Sequence, residues 1–489
     1  MCLCGVLCPV LGLIQSCMWF PCTLSSSCVY MCCSKHTWSC IGALRVECVP
    51  GPSPARPRRT RSADLAPPAS ARLTSGGGVT RFLKLVPRIR VSSNRVAALG
   101  LGRVSWPCMK AVLLIGGFSS QLRPLTLTLP LPLLDFCNKT LLEIQLHALK
   151  DAGASEVVIC YFENANISVG GRAVAPTEWD RAVQQLTADI GISIKCSKEE
   201  KPAGTAGALY RAKDLITDNG ANLSPFFVVN ADVLCTYPLT DLLHVHMKHG
   251  CEGTILTTRS DAPAKYGVIV DDEHTGQVVH FVEKPKTFVS DTINAGVYVF
   301  SPAIFSRIAA AEGSKQRSIS MNEFIQPLAQ SGNLYSMRLA GYWVKLTTIE
   351  SYMDAVSKNM EISRFLRPSS LTSHVAECEI KGNVMIHETA KVGVGCVLGP
   401  DVIVGPECSV GDGVRLEKTT LLRGACVQAH TLVKRSVIGW KSTIGRWCMV
   451  EGSMFGEGVC VGDTLLINGA TALPGMELIE SHRSPSIVF

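Results

Sequence analysis

Residues 109–132, MKAVLLIGGFSSQLRPLTLTLPLP, are the stretch that decides the fold of this chain. The apolar run from Ala111 to Ile115 has the length and composition of a buried β-strand. It leads directly into Gly116-Gly117 and a polar loop. Because glycine has no side chain, the backbone N–H groups of such a turn can approach a phosphate closely. The stretch therefore predicts a strand that ends at a phosphate-binding loop.

Helix and strand patterns alternate after this loop. Thr140–Ala152 has a helical pattern closed by Gly153, Val157–Cys160 has a strand pattern, and the alternation continues to the apolar run Phe226–Val229. Such alternation predicts an α/β fold of the Rossmann type, with a parallel sheet and helices on both faces. Ligands of these sheets bind at the carboxyl ends of the strands.

Two polar sequence segments follow predicted strands. The segment Gly204-Thr205-Ala206-Gly207 opens a predicted helix, and its small residues and free N–H groups suit a nucleotide base or a phosphate. Asp232 follows the buried run that ends in an Asn-Ala-Asp sequence, a common way to place a metal ligand. The alternative for the Gly204–Gly207 segment is a simple helix start, and the alternative for Asp232 is a loop cap.

Three more candidate segments follow along the chain. Gly267 lies in a Lys-Tyr-Gly sequence, and Glu283 and Lys284 lie in a Phe-Val-Glu-Lys-Pro sequence. Glu283 can accept hydrogen bonds from sugar hydroxyls, and Lys284 supplies a cation for a phosphate. Asn294, in Ile-Asn-Ala-Gly, adds an amide that both donates and accepts. The order and spacing of all these segments favour a single ligand site.

The set GG, LRPLT, DFCNK, GTAG, NAD, KYG, FVEKP and INAG resembles the mannose-1-phosphate guanylyltransferases, in particular their catalytic beta-type subunits, over residues 109–489. The resemblance implies attack by mannose 1-phosphate on the α-phosphorus of GTP, which yields GDP-mannose and pyrophosphate. It also implies that Mg²⁺ binds Asp232. The catalytic residues that it implies are Arg123, Asp232 and Lys284; the GTP-binding residues are Gly116, Gly117, Gly204, Thr205 and Gly207; the residues for mannose 1-phosphate are Gly267, Glu283, Lys284 and Asn294.

Three charged positions of the family pattern are substituted in this chain. Gln121 replaces an arginine, Leu131 replaces a lysine, and Lys345 replaces the second Mg²⁺ carboxylate in a W-x-D segment. Mg²⁺ is therefore expected to bind poorly, and a Lys345–Asp232 ion pair is expected in its place. Two interpretations stay open: a weakened guanylyltransferase, helped by neighbouring cations such as Arg123, or a non-catalytic regulatory or binding subunit of a guanylyltransferase complex.

The C-terminal part repeats with a period of six residues. Aliphatic residues recur at this spacing from Val392 to Leu422, and four are followed directly by glycine. This pattern predicts a left-handed parallel β-helix of hexapeptide repeats over residues 375–489. The phase breaks near Lys434, which predicts a short protruding loop. An acyltransferase is the enzymatic alternative, but His387 and His430 are isolated, so self-association or pairing with a related guanylyltransferase subunit is the expected role.

The remaining segments complete the predicted domain organisation. Residues 109–360 form the predicted nucleotidyltransferase-like domain and residues 361–374 a linker. Residues 1–108 carry 13 Lys and Arg but only two acids, together with eleven of the 22 cysteines. We expect a disordered or non-native extension there; a transit peptide and a secretory or membrane segment are the alternatives.

Charge and cysteine distribution limit the classes of function that the rest of the chain can have. After residue 108, 34 basic residues face 38 acidic ones, so the net charge is −4 and nothing indicates nucleic-acid binding. The cysteines of this part are scattered, which is typical of reduced core thiols. We therefore expect a cytoplasmic protein without a membrane partner.

Overall fold

The computed structural model describes residues 31–34, 37–40, 109–115, 122–162, 176–199, 203–312 and 318–489. Strands β1 (Met31–Ser34) and β2 (Thr37–Cys40) pair in antiparallel fashion. The rest of the expected N-terminal extension, residues 1–108, lies outside the described residues. No helix in the described ranges is long and apolar enough to cross a membrane.

Helices and strands alternate from residue 110 onward, as predicted. In chain order the elements of this first domain are β3 (Lys110–Ile115), β4 (Asp135–Phe136), β5 (Lys139–Thr140), α1 (Leu141–Asp151), β6 (Glu156–Phe162), α2 (Pro176–Ile190), β7 (Ser193–Glu199), α3 (Gly204–Arg211), α4 (Lys213–Thr217), β8 (Phe226–Asn230), β9 (Val233–Cys235), α5 (Leu239–His249), β10 (Gly253–Arg259), β11 (Gly267–Asp271), β12 (Val278–Glu283), β13 (Thr292–Phe300), α6 (Ile304–Glu312), α7 (Met321–Gln330), β14 (Leu334–Arg338), β15 (Trp343–Lys345) and α8 (Ile349–Leu366).

The central sheet has nine strands and is parallel in the part that contains β3. Strands β8, β3, β6 and β7 lie side by side in that order and are parallel. Strand β13 pairs with β8 and, nearer its start, with β11 along one edge, and with β10 along its other edge; all three pairings are antiparallel. The carboxyl ends of the parallel strands therefore meet at one edge, which confirms the predicted Rossmann-like α/β class.

Both faces of this sheet are buried, which explains the unbroken apolar run of β3. Val112 and Leu114 pack in the apolar core on one face, and Ala111 and Leu113 pack in the core on the other. Side chains of a strand alternate between faces, so a strand covered on both sides needs apolar residues at every position. Helix α1 on one of these faces begins where the Thr140 hydroxyl accepts the N–H of Glu143 at 3.1 Å.

The predicted linker, residues 361–374, is partly helical. Helix α8 continues to Leu366, and a 3₁₀ turn covers Pro368–Ser370. The helix ends just before Pro368 because a residue that precedes proline is disfavoured in the α conformation. The extended part of the connection is therefore shorter than predicted.

The C-terminal domain consists of short strands in three parallel sheets. Each sheet runs the length of the domain, and successive strands of the chain belong to successive sheets. This is the predicted parallel β-helix, and its three-sided repetition is consistent with the left-handed type. Its strands are β16 (Glu379–Ile380), β17 (Val384–Ile386), β18 (Lys391–Val392), β19 (Val397–Leu398), β20 (Val402–Val404), β21 (Ser409–Val410), β22 (Arg415–Glu417), β23 (Thr419–Leu421), β24 (Cys426–Val427), β25 (Leu432–Lys434), β26 (Val437–Ile438), β27 (Thr443–Ile444), β28 (Met449–Glu451), β29 (Met454–Phe455), β30 (Cys460–Val461), β31 (Leu466–Asn468), β32 (Ala470–Ala472), β33 (Glu477–Leu478) and β34 (Ser486–Val488).

The predicted loop near Lys434 is absent from the described β-helix. Val397 pairs with Arg415, 18 residues on, whereas Arg415 pairs with Leu432, 17 residues on. The lost residue lies in the corner between β22 and β23, where Lys418 has φ 45°: Leu398 and Val402 are four residues apart, whereas their partners Leu416 and Thr419 are three apart. Each later coil keeps the shorter length. A shortened corner, and not an inserted loop, shifts the phase of the repeat.

The two domains share a buried apolar cluster. From the first domain it contains Leu131 and Val344, and from the β-helix it contains Ile403 and Trp440. The indole N–H of Trp440 donates to Oδ2 of Asp135 at 2.8 Å. The β-helix therefore packs on the segment that follows the predicted phosphate-binding loop.

Candidate functional site

Asp232 lies at the carboxyl edge of the parallel sheet, directly beyond strand β8. Its side chain is 23% exposed, so the carboxylate is half-buried but open to a ligand. The N–H of the preceding Ala231 donates to the carbonyl of Leu114 at 3.1 Å, which ties the turn to the end of β3. The chain thus places an acid where ligands of this fold class bind.

Gln145 holds the backbone turn around Asp232. Its amide nitrogen lies 3.3 Å from the carbonyl oxygen of Asn230, 3.4 Å from that of Ala231 and 3.2 Å from that of Val233. The side chain is only 1% exposed. A buried donor that serves several carbonyls fixes the turn, because each unpaired carbonyl would cost free energy.

Lys345 forms the expected ion pair with Asp232. Strand β15 pairs with β9 so that Lys345 lies opposite Val233, and the N–H of Leu346 donates to the carbonyl of Asp232 at 2.8 Å. The Lys345 Nζ then lies 3.3 Å from Oδ2 of Asp232. The ion pair that the sequence suggested is therefore present, and both of its backbone positions are fixed by strand pairing.

This donor set does not fit Mg²⁺. The ion prefers octahedral oxygen ligands and is usually held by one or two carboxylates. Here the carboxylate of Asp232 already contacts the ammonium group of Lys345.

Glu283 and Gly267 face each other across strands β11 and β12. The two residues are directly paired, and a Cβ at Gly267 would lie 2.8 Å from Oε2 of Glu283 and 2.7 Å from the ring of Phe281. Glycine at this position therefore makes room for the carboxylate. Lys284 follows in a left-handed conformation with φ 44°, and its Nζ lies 4.0 Å from Oε1 of Glu283.

Asn294 is oriented by its own strand. Its amide nitrogen donates to the Tyr298 hydroxyl at 2.7 Å, and its Oδ1 accepts the N–H of Gly296 at 2.8 Å. Burial raises the pKa of Tyr298 well above its usual value, and the nearby carboxylates of Glu283 and Asp232 add to this effect. One amide N–H of Asn294 is left for a ligand. Both carboxylates act on Tyr298, so Glu283 and Asp232 lie near the same hydroxyl.

Trp343 contacts several of the predicted site segments. Its indole N–H donates to the carbonyl of Ala295 at 2.9 Å, and its ring meets the ring of Tyr266 edge-on at 5.3 Å. Trp343 also begins strand β15, which carries Lys345. The predicted KYG, INAG and W-x-D segments therefore meet at one side chain.

The N-terminus of α3 is less free than predicted. The carbonyl of Ile319 accepts the N–H groups of Ala206 at 3.1 Å and of Gly207 at 3.4 Å, and the Thr205 hydroxyl accepts the N–H of Met321 at 2.8 Å. Gly204 has φ 78°, and a Cβ there would lie 2.3 Å from the Ile319 carbonyl oxygen. The expectation of free N–H groups is therefore wrong for Ala206 and Gly207, because a neighbouring chain segment caps this helix.

The phosphate-loop residues divide between described and undescribed positions. Gly116, Gly117 and Gln121 lie outside the described residues. Arg123 is exposed, whereas Leu131 is only 7% exposed and packs in the cluster shared with the β-helix. The residue that replaces the expected lysine is therefore part of the apolar core.

Family comparison agrees with this architecture. A family model described as "Nucleotidyl transferase" matches residues 110–361, and one described as "GMPPB C-terminal domain" matches residues 380–488. "Probable mannose-1-phosphate guanylyltransferase 3" of Oryza sativa subsp. japonica and "Mannose-1-phosphate guanylyltransferase 1" of Arabidopsis thaliana are each 39% identical over 381 residues. This chain belongs to the mannose-1-phosphate guanylyltransferase family. "Mannose-1-phosphate guanylyltransferase catalytic subunit beta" of Danio rerio is 38% identical; each of these three alignments covers 78% of this chain and 100% of the relative.

Family motifs alone did not reveal three supporting residues. Gln145 and Tyr298 lie outside the quoted motifs. Trp343 begins the W-x-D segment, but the motif points to the missing acid and not to the tryptophan. Gln145 and Trp343 act through contacts with distant segments, such as the bond from Trp343 to Ala295, so no local pattern announces them, whereas Tyr298 contacts Asn294 within strand β13. The buried polar character of Gln145 in an otherwise apolar helix face was the one available signal.

Proposed function

We propose that this chain forms GDP-mannose from GTP and mannose 1-phosphate at a strongly reduced rate. The ion pair between Lys345 and Asp232, with Nζ and Oδ2 3.3 Å apart, carries this proposal. Membership of the guanylyltransferase family supports the substrates, and the ion pair supports the loss of rate. We also propose that the protein is cytoplasmic and associates with itself or a related subunit through its β-helix.

The proposed site has a nucleotide side and a sugar side. Glu283 and Asn294 would orient the sugar hydroxyls, while Lys284 would neutralise the sugar phosphate. The phosphate oxygen would then attack the α-phosphorus of GTP, and the bond from that phosphorus to the bridging oxygen of pyrophosphate would break. The proposed GTP-binding residues are Gly116, Gly117, Gly204 and Thr205, and the proposed sugar-side residues are Gly267, Glu283, Lys284 and Asn294. Gly207 is left out, because its N–H group donates to the carbonyl of Ile319.

Charge neutralisation is the main catalytic requirement of this reaction, because both reactants are anions. The cations of this chain near the site are Lys345 and, by sequence position, Arg123 and Lys284. Loss of a single charged group at such a centre costs a factor of about 10² to 10⁵ in rate. Three substitutions therefore predict slow turnover even if the substrates bind well.

A non-catalytic subunit is the second candidate. It is favoured by the burial of Leu131, since a catalytic lysine at that position has been exchanged for a core residue that contacts the β-helix cluster. The same scaffold would then bind ligand and contribute to an assembly without chemistry.

GDP-mannose formation by the full chain distinguishes these candidates. The unmodified protein, Lys345→Asp and Lys345→Gln would be compared with GTP, mannose 1-phosphate and MgCl₂. We expect slow product formation by the unmodified protein and at least about a tenfold gain in Lys345→Asp, since a carboxylate is restored. Lys345→Gln controls for mere loss of the ammonium group.

Equal rates of the unmodified protein and Lys345→Asp would contradict the assigned effect of the ion pair. Absence of product in the unmodified protein, with activity in Lys345→Asp, would establish the non-catalytic subunit.

A further inference from the structure

We propose that this site binds its nucleoside triphosphate free of a divalent cation, with the Lys345 ammonium group in the position of the metal. The inference rests on the proposed function in taking GTP as the ligand. It concerns the chemical form of that ligand, which membership of the family does not decide.

The formal charges support a metal-free site. The family pattern implies two carboxylates and one Mg²⁺, which sum to zero. Asp232 and Lys345 also sum to zero, and they do so without any ion. At the metal position itself, a triphosphate therefore meets the same net charge as the family pattern implies for a metal-loaded site.

The geometry keeps the ammonium group in place. Lys345 is paired through β15 with β9, and Trp343 at the start of β15 is bonded to the carbonyl of Ala295. The Lys345 side chain is 32% exposed, so it is open to a ligand from solvent. A lysine ammonium has three donors, and those not used by Asp232 can bind phosphate oxygens.

The same contact disfavours a divalent ion. A cation that binds Asp232 must either displace Lys345 or lie beside its positive charge, and like charges at such distances repel. Magnesium also loses its hydration water reluctantly, so a single shared carboxylate is a poor ligand set. The Mg²⁺ complex of GTP is consequently the less suitable ligand form here.

Isothermal titration of the full chain with GTP tests the inference. Titrations would be run in excess EDTA and in excess MgCl₂ for the unmodified protein, Lys345→Asp and Lys441→Asp. Lys441 is an exposed lysine of the β-helix that pairs with Glu457, so its substitution makes the same charge reversal away from the site.

We expect the unmodified protein and Lys441→Asp to bind GTP more weakly in excess MgCl₂ than in EDTA, because Mg²⁺ converts the nucleotide into the complex that the site disfavours. Lys345→Asp should bind GTP at least about tenfold more tightly with Mg²⁺, equivalent to about 1.4 kcal/mol. Its binding in EDTA should be weaker than that of the unmodified protein, because the carboxylate repels the triphosphate.

Tenfold tighter binding of GTP by the unmodified protein in MgCl₂ would overturn the inference and leave the proposed function intact. Binding only by Lys345→Asp would also overturn it, since the ion pair would then block the nucleotide. No binding of GTP by any variant would overturn the proposed function and the inference together.

Discussion

Restoring the expected lysine at position 131 should destabilise the protein. Leu131 is 7% exposed and belongs to the apolar cluster that joins both domains, beside Val344 and Trp440. Replacement of a buried leucine by alanine costs about 2–5 kcal/mol. A lysine keeps contact through its methylene stem, so we expect Leu131→Lys to cost about 2–3 kcal/mol, at the lower end of that range.

Denaturant unfolding of the full chain, followed by tryptophan fluorescence, measures this effect. Trp440 lies in the same cluster and should report its loss. Leu131→Met is the matched control, because a volume-conserving apolar exchange costs less than about 1.5 kcal/mol. A Leu131→Lys protein as stable as the unmodified one would refute the assignment of Leu131 to the shared core.

Three further outcomes follow from contacts elsewhere in the molecule. Trp440→Phe removes the indole donor to the half-buried carboxylate of Asp135 and should lower the free energy of unfolding by about 1–3 kcal/mol in denaturant titrations. Burial lowers the pKa of His246 to about 4, below its ordinary 6.5, so the unfolded chain takes up a proton before the folded chain does. The free energy of unfolding should therefore fall as pH drops from 6.5 toward 4, by at most about 1.4 kcal/mol per pH unit. His246→Gln should flatten this slope in unfolding midpoints measured across that pH range. Gly267→Ala places a Cβ 2.8 Å from Oε2 of Glu283, and calorimetry should show mannose 1-phosphate binding weakened about tenfold, while an unchanged affinity would contradict the sugar-side assignment.

The β-helix was the part of the fold most readable from sequence. Its inward columns need an aliphatic side chain at about every sixth position, so the spacing from Val392 to Leu416 specifies the first coils directly. Leu422 continues this spacing but packs in the cluster shared with the first domain, while Leu421 fills the β-helix core. The phase shift near Lys434 was misinterpreted because a deletion and an insertion disturb a periodic pattern in the same way. Only the strand pairing shows that each later coil is one residue shorter.

The site was readable where two motif positions contact each other. The pair between Lys345 and Asp232 could be foreseen because one charge had replaced another at a position that faces the acid. The capped N-terminus of α3 could not, since Ile319 belongs to none of the motifs and supplies only a backbone carbonyl. The hold of Gln145 on the acid turn was hidden for the same reason.

Anomalous scattering from crystals of the full chain grown with MnCl₂ tests the central claim most directly. Mn²⁺ prefers the same oxygen ligands as Mg²⁺. We predict no manganese peak at Asp232, with Lys345 Nζ still about 3.3 Å from its carboxylate. A manganese ion bound to Asp232, with Lys345 turned away, would contradict the account.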